Sequence, residues 1–335
     1  MDSVAELEDA LSTPSAGLTA DLSRLKGDIL VLGAGGKLGP SLVRLALRAV
    51  DGRRAVTAVS RFSNKSHADE LAAAGARIVS ADVTDEAALA ALPEAENVVF
   101  LVGSKFGSTG READTWYTNA YLPGRVAERF KSSRIVALST GNVYPFTPVS
   151  SGGPTETMPV GPVGEYAMSC LGRERVMTRF AQHNGTPLAI IRLNYAVEMR
   201  YGVLVDIARA VMSGTPVDVT MSAVNVIWQG YANEVILRSL LHATPEPFIL
   251  NLTGIETLSV RQIATDFSRL FGVEAKISGA EAPNALLSNA SKCTQLFGPP
   301  DVSLAQIESW TANWLRKGLP LLGKPTGFQK RDGKF

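Results

Sequence analysis

Six short apolar runs recur between residues 29 and 191: ILVL (29–32), AVTAV (55–59), RIVS (77–80), NVVFLV (97–102), RIVAL (134–138) and LAII (188–191). Between them lie stretches of helical periodicity such as SLVRLALRAV, ADELAAAG, EAALAAL and TNAYLPGRVAERF. Runs this short and this rich in β-branched residues read as buried strands. Strands that alternate with helices specify an α/β fold, a Rossmann-like doubly wound parallel sheet. Right-handed crossovers then place any ligand at the carboxyl ends of the strands.

The pattern divides the chain. Residues 1–26 predict one or two amphipathic helices, broken at STPSAG and packed on the main domain as an extension. Residues 27–195 form the expected Rossmann-like domain, with 225–255 returning to it. Residues 196–224 and 256–330 form a smaller substrate-binding subdomain, and 331–335 a tail. The stretch 145–164, PFTPVSSGGPTETMPVGPVG, reads as a long ordered loop over the sheet edge, and long loops in compact domains are commonly functional. The basic stretch GKPTGFQKRDGKF reads as solvated.

Charge narrows the partners. Thirty-three basic residues against 32 acidic ones give a net charge of +1, mostly interspersed, which argues against nucleic acid and against an anionic membrane. Two cysteines and three histidines lack metal-ligand spacing. MDSVAELEDALS has no apolar signal core and no run is long enough to span a bilayer, so a soluble, cytoplasmic protein is expected.

GAGGKLG (33–39) joins the first strand to the first long helix. Such a turn points backbone N–H groups and a helix dipole at an anion. Leu38 breaks the spacing GxGxxG, whereas GxxGxxG fits Gly33, Gly36 and Gly39, and Pro40 suits the first helical turn. The second strand ends in Ser60 and Arg61 rather than in a carboxylate for the ribose 2′-hydroxyl of NAD. Arginine matches a 2′-phosphate, so NADP is preferred over NAD. Asp82, closing RIVSAD, is placed for the adenine amino group, or alternatively caps the helix that follows. Lys37, Leu38, Val83, Val102, Gly103, Tyr166 and Cys170 complete the expected cofactor set.

The order of GxxGxxG (33–39), AD (81–82), STGNVYP (139–145), PTETMPVGPVGEYAMSCLGRE (154–174) and AIIRLN (189–194) resembles an extended short-chain dehydrogenase/reductase of the NAD-dependent epimerase/dehydratase family. FILNLTGIETLSVRQIATDFSRLFG (248–272) resembles the family's later strand and helix, so the likeness spans most of 28–272. It implies hydride transfer at a carbinol or carbonyl carbon. Tyr166 would be the acid/base, with Thr140 hydrogen-bonding the same oxygen and Asn119 fitting the preceding helix. Asn142, Tyr144, Arg192 and Asn194 would be substrate contacts, with loop and strand packing as their alternative. Homodimerisation would use helices near 115–130 and 165–182.

Two departures stand out. The family places a lysine four residues after the tyrosine, where it lowers the phenol's pKa and bonds the nicotinamide ribose; this chain has Cys170. A cation about 4 Å from a phenolate contributes up to roughly 4 kcal/mol at an effective dielectric of 20, or about three pKa units. Lys105, in VGSKFG past the fourth strand, is the candidate replacement. Arg173, seven residues beyond Tyr166 on the same helical face, is a second conceivable replacement; surface charge is the favoured alternative for both. The second departure is Gly230–Tyr231, where the family usually has an acidic pair.

The expected function is therefore an NAD(P)-dependent oxidoreductase or epimerase acting on a sugar, a nucleotide sugar or a related compound. Dehydration is disfavoured, because Gly141–Asn142 follow Thr140 where dehydratases carry an acid. The alternative is a non-catalytic NAD(P)-binding sensor or partner subunit that lost the lysine.

Overall fold

The computed structural model describes every residue except Asn64, Phe106, Ser108, Pro325 and Phe335. Seven strands form the central sheet: β1 Ile29–Leu32, β2 Val56–Ser60, β3 Arg77–Ser80, β4 Asn97–Phe100, β5 Arg134–Thr140, β6 Leu188–Leu193 and β7 Phe248–Leu252. Their order is β7-β6-β5-β4-β1-β2-β3, and every pairing is parallel. The protein is thus a Rossmann-like α/β fold. Strand order reverses beside β1, and the crevice this leaves at the carboxyl ends of β1 and β4 is where such sheets bind ligands. β1 and β4 are buried along their whole length, which is why they read as unbroken apolar runs. Edge strand β3 keeps Arg77 and Ser80 exposed.

Helices cover both faces. On one lie α1 Val4–Ser12, α2 Ala16–Arg24 and α3 Gly39–Val50; Leu7, Leu11, Leu18 and Leu22 share a single core with Leu42 and Leu45. Ser3 and Ser15 accept from Glu6 and Leu18 backbone N–H groups and so fix where α1 and α2 begin. After the short α4 (Lys65–Ala73) and α5 (Glu86–Ala90), the other face is covered by α6 Glu112–Trp116, α7 Leu122–Arg129 and α8 Gly164–Asn184. There Leu122, Val126 and Met177 pack with Leu30, Val98 and Ile135 of the sheet.

Between α6 and α7 the chain makes a π-helical turn over Tyr117–Tyr121. Pro123 has no N–H to offer the Asn119 carbonyl. That carbonyl accepts instead from Arg173 Nε of α8, at 3.2 Å. The irregularity thereby joins two elements of the site.

The segment after residue 325 is docked, contrary to its solvated appearance in the sequence. Thr326 is 2% and Phe328 6% exposed, and Thr326 donates through both N and Oγ1 to Asp206 Oδ2, at 2.7 and 2.6 Å. Phe328 supplies the apolar anchor that overrides the segment's basic, glycine-containing composition. Among the described residues, no helix is long and apolar enough to cross a membrane, and no group of three His, Cys, Asp or Glu residues could hold a metal ion.

Candidate active site

A cleft of about 620 Å³ opens at the carboxyl ends of β1, β2 and β4. Gly33, Gly36, Ser60, Arg61, Asp82, Val83, Val102 and Gly103 all line it. Gly33 turns the chain with φ +89°, a conformation that L side chains rarely adopt. Gly39 lets α3 begin hard against the turn, since a Cβ there would meet the Ala34 carbonyl oxygen at 2.3 Å. Gly36 faces the opening with no side chain, so a ligand can approach the backbone.

At the far wall, Asp82 accepts from the Thr84 hydroxyl at 2.7 Å and from its N–H at 3.0 Å, which hold its carboxyl below the usual range. Asp85, not Asp82, caps the helix that follows. Arg61 lies 3.8 Å from Asp82 and stays largely exposed. Phe62, His67, Thr84, Arg111 and Thr118 also line the cleft. None of them was legible in the sequence, because they converge from four separate segments without a shared spacing.

Three residues of the expected cofactor set shape the turn rather than the cleft. Leu38 packs into the core and precedes α3. Gly39 serves the close packing just described. The Lys37 side chain turns toward the segment after β6: its Nζ donates to the Ala196 carbonyl at 2.7 Å and sits 3.8 Å from the Tyr201 ring centre. Burial pushes its pKa down to about 7.

At the end of β5, Thr140 is hydrogen-bonded to Tyr166 of α8, and Asn142 N donates to Thr140 Oγ1 at 3.2 Å. Burial pushes the Tyr166 phenol well above its ordinary value, and the neighbouring Cys170 adds to the rise; the Thr140 hydrogen bond and the Arg173 charge pull the other way. Cys170 is 2% exposed in a small apolar cluster with Val143, Tyr144 and Tyr166. Burial raises its thiol pKa too, so it stays protonated and supplies no charge. Two cations flank the phenol. Lys105 Nζ lies 5.7 Å from the Tyr166 ring centre, and burial lowers its pKa to about 8. Arg173 is 5% exposed, with its guanidinium 5.5 Å over the Phe100 ring and Nη2 donating to Asn119 Oδ1 at 3.0 Å. Neither is a surface charge. The π-turn brings α7 against α8, so a residue two helical turns from Tyr166 still points inward.

Asn119 is fully buried and organises this corner. Its amide donates to the Ser104 carbonyl at 2.8 Å and to Ser169 Oγ at 3.0 Å, while Oδ1 accepts from Ser104 N at 2.8 Å. It therefore clamps the segment carrying Lys105 to the helix carrying Tyr166.

Two of the expected substrate contacts, Arg192 and Tyr144, are buried in a hydrogen-bonded chain. Arg192, 3% exposed, donates to Glu174 at 2.7 Å and to the Tyr144 hydroxyl at 2.7 Å. Tyr144, 1% exposed, donates to Asn251 Oδ1 at 2.8 Å, and Ser139 Oγ donates to Glu174 at 2.6 Å. Glu156 of the long loop accepts from Asn251 N at 2.8 Å. This buried chain ties loop, sheet and α8 together and engages each of the three guanidinium nitrogens of Arg192. Asn142 and Asn194 lie beside Thr140 and Gly141 at the end of β5. Asn194 Nδ2 and Ser288 Oγ are buried without a hydrogen-bond partner among the described residues, and both crowd Gly141. Tyr195, which the sequence did not single out, has φ +42° and lines a small cavity with Asn142. Strain of this kind in a non-glycine residue often marks a functional position.

The model of the NAD dependent epimerase/dehydratase family matches residues 29–197. The chain belongs to this family. No curated protein matches it significantly. Among solved structures, it is similar to the dTDP-glucose 4,6-dehydratase DesIV from Streptomyces venezuelae with NAD and TYD bound, at 19% identity and TM-score 0.74, over 87% of this chain and 97% of that one. It is similar to UDP-glucuronic acid 4-epimerase from Bacillus cereus in complex with NAD, at 18% identity and TM-score 0.73, over 87% and 99% of the two chains. The UDP-glucose 4-epimerase of Thermus thermophilus in complex with NAD matches at 18% identity and TM-score 0.71, over 86% and 99%. At these identities the likeness is one of fold.

Proposed function

We propose that the protein is an NAD(P)-dependent oxidoreductase or epimerase acting on a nucleotide sugar or a related carbohydrate-derived hydroxyl or carbonyl compound. The observation that carries this reading is the hydrogen-bonded Thr140–Tyr166 pair with Lys105 over the phenol ring, beside an open glycine-lined cleft. The residues lining that cleft fit a dinucleotide: exposed backbone at Gly36, a carboxylate at Asp82 and an exposed guanidinium at Arg61. A bound nicotinamide would supply the hydride acceptor and donor. Tyr166 exchanges the proton of the reacting hydroxyl, and Thr140 holds the same oxygen. Lys105 and Arg173 stabilise the phenolate in place of the absent lysine. Asn142 and Asn194 hold substrate hydroxyl or phosphate oxygens, and the unpaired Asn194 amide supports that role.

Arg61 favours NADP over NAD. Exposed Trp116, Tyr117, Tyr121 and Met168 on α6, the π-turn and α8 support homodimerisation through these helices. The competing reading, a cofactor-binding protein without turnover, draws on Cys170 and the raised Tyr166 pKa. Calorimetric titration with NADP⁺ and NAD⁺, followed by epimerase and reductase assays on nucleotide sugars, separates the two. Binding that is at least about 100-fold weaker after Gly36→Asp, with turnover in the parent protein, supports the enzyme; binding without turnover, with activity gained on Cys170→Lys, supports the sensor.

A further inference from the structure

We propose that residues 326–334 form a displaceable strap over the substrate site, and that substrate enters when the strap lifts. The inference deepens the functional reading and rests on Thr140 and Tyr166 being the reacting pair. Beside them lies a cavity of only about 20 Å³. Asn142, Phe146 and Tyr195 border it from the sheet and its loops, and Lys330 and Gly333 border it from the strap. Asn142 is hydrogen-bonded to Thr140, so the cavity is one residue from the chemistry. A space of this size holds about one water, whereas small-molecule sites span roughly 300–1,000 Å³. No sugar fits while the strap is down.

The strap is fastened unequally. Its first part is anchored by Thr326 on Asp206 and by buried Phe328. Beyond Phe328 the principal fastening is one guanidinium: Arg331 Nη1 donates to the Asn284 carbonyl at 2.9 Å, Nη2 donates to Asn284 Oδ1, and the group stacks 4.3 Å from the Phe146 ring centre. Gly333 lies flat against Gly164, and a Cβ on Gly333 would come within 2.4 Å of the Val163 carbonyl oxygen. Gly327 and Gly333, at φ +63° and +71°, bracket the clasped part and suit a hinge. A segment held by one arginine clasp opens far more readily than the core beneath it.

The test places a thiol in the cavity wall and times its modification. Leu286 borders the cavity, and native Cys170 and Cys293 are each 2% exposed. Leu286→Cys should react slowly with N-ethylmaleimide, and at least about tenfold faster when Arg331→Ala is added, with Cys293 unchanged. Hydrogen exchange of the 142–146 amides in wild type and Arg331→Ala gives the same comparison without an engineered thiol. Equal rates in both backgrounds, or a rise shared by Cys293, overturn the strap. NAD⁺ titration of the same proteins reports on the functional reading separately. Faster labelling without NAD⁺ binding removes that reading and keeps the moving segment; NAD⁺ binding with unchanged labelling does the reverse.

Discussion

The two halves of the site are built on different principles. The half proposed to take the cofactor is an open cleft of about 620 Å³ whose walls come from strand ends and the turns directly after them. The half proposed to take substrate is a void of about 20 Å³ walled by the residues after β5 and β6, the long loop and a segment from the far end of the fold. The first half needs backbone exposure and a few short-range turns. The second depends on a buried chain of hydrogen bonds from Ser139 through Glu174, Arg192, Tyr144 and Asn251 to Glu156. A binding cleft for an invariant cofactor can be local, whereas a site for a variable substrate is assembled from distant segments.

The sharpest division between the halves is expected from Tyr166→Phe. It should lower kcat by roughly 10²–10⁴-fold, the usual range for a general acid/base, while calorimetry finds the NAD(P)⁺ affinity unchanged. A parallel loss of affinity would join the halves again. Glu174→Gln comes next: it leaves the Arg192 charge, 4% exposed, without its anion. Removing one partner of a buried pair costs about 3–5 kcal/mol, visible as a lowered midpoint in urea, and the 145–164 loop should become the first protease-sensitive segment.

Lys105→Met tests the cation beside the Tyr166 ring. Its pKa of about 8 means that the ammonium is present below that pH and lost above it. Wild-type activity should therefore fall as pH rises through about 8. The variant should lack that limb and turn over about 10–100-fold more slowly at pH 7. An unchanged pH profile would pass the role to Arg173. Arg61→Ala should have the smallest effect and touch the cofactor half alone: about a tenfold loss of NADP⁺ affinity, the weight of one charged hydrogen bond, with NAD⁺ binding unaltered.

Legibility in the sequence followed the same divide. The six apolar runs became β1 to β6 with ends shifted by at most two residues, because burial on both faces selects apolar residues locally. That Gly33, Gly36, Ser60, Arg61 and Asp82 share one cleft was legible because each lies within a few residues of its own strand end. Arg173 was misread as surface charge because helical spacing says nothing about a π-turn packed opposite. Arg192 and Tyr144 lie at the expected strand end and loop, yet their polar atoms are taken by Glu174 and Asn251. The 326–334 segment looked solvated because its composition conceals one anchoring phenylalanine.

By itself the sequence determined the doubly wound sheet and the glycine turn, which depend on short-range periodicity and spacing, whereas the Thr140–Tyr166 pair was implied by the resemblance of its motifs to the epimerase/dehydratase family. Tertiary structure alone decided which cations approach the phenol, which polar side chains are buried in mutual hydrogen bonds, and that residues 330 and 333 close a small cavity beside Asn142. Those outcomes depend on side chains separated by tens to hundreds of residues. Burial and hydrogen-bond competition between such groups are settled only when the elements pack.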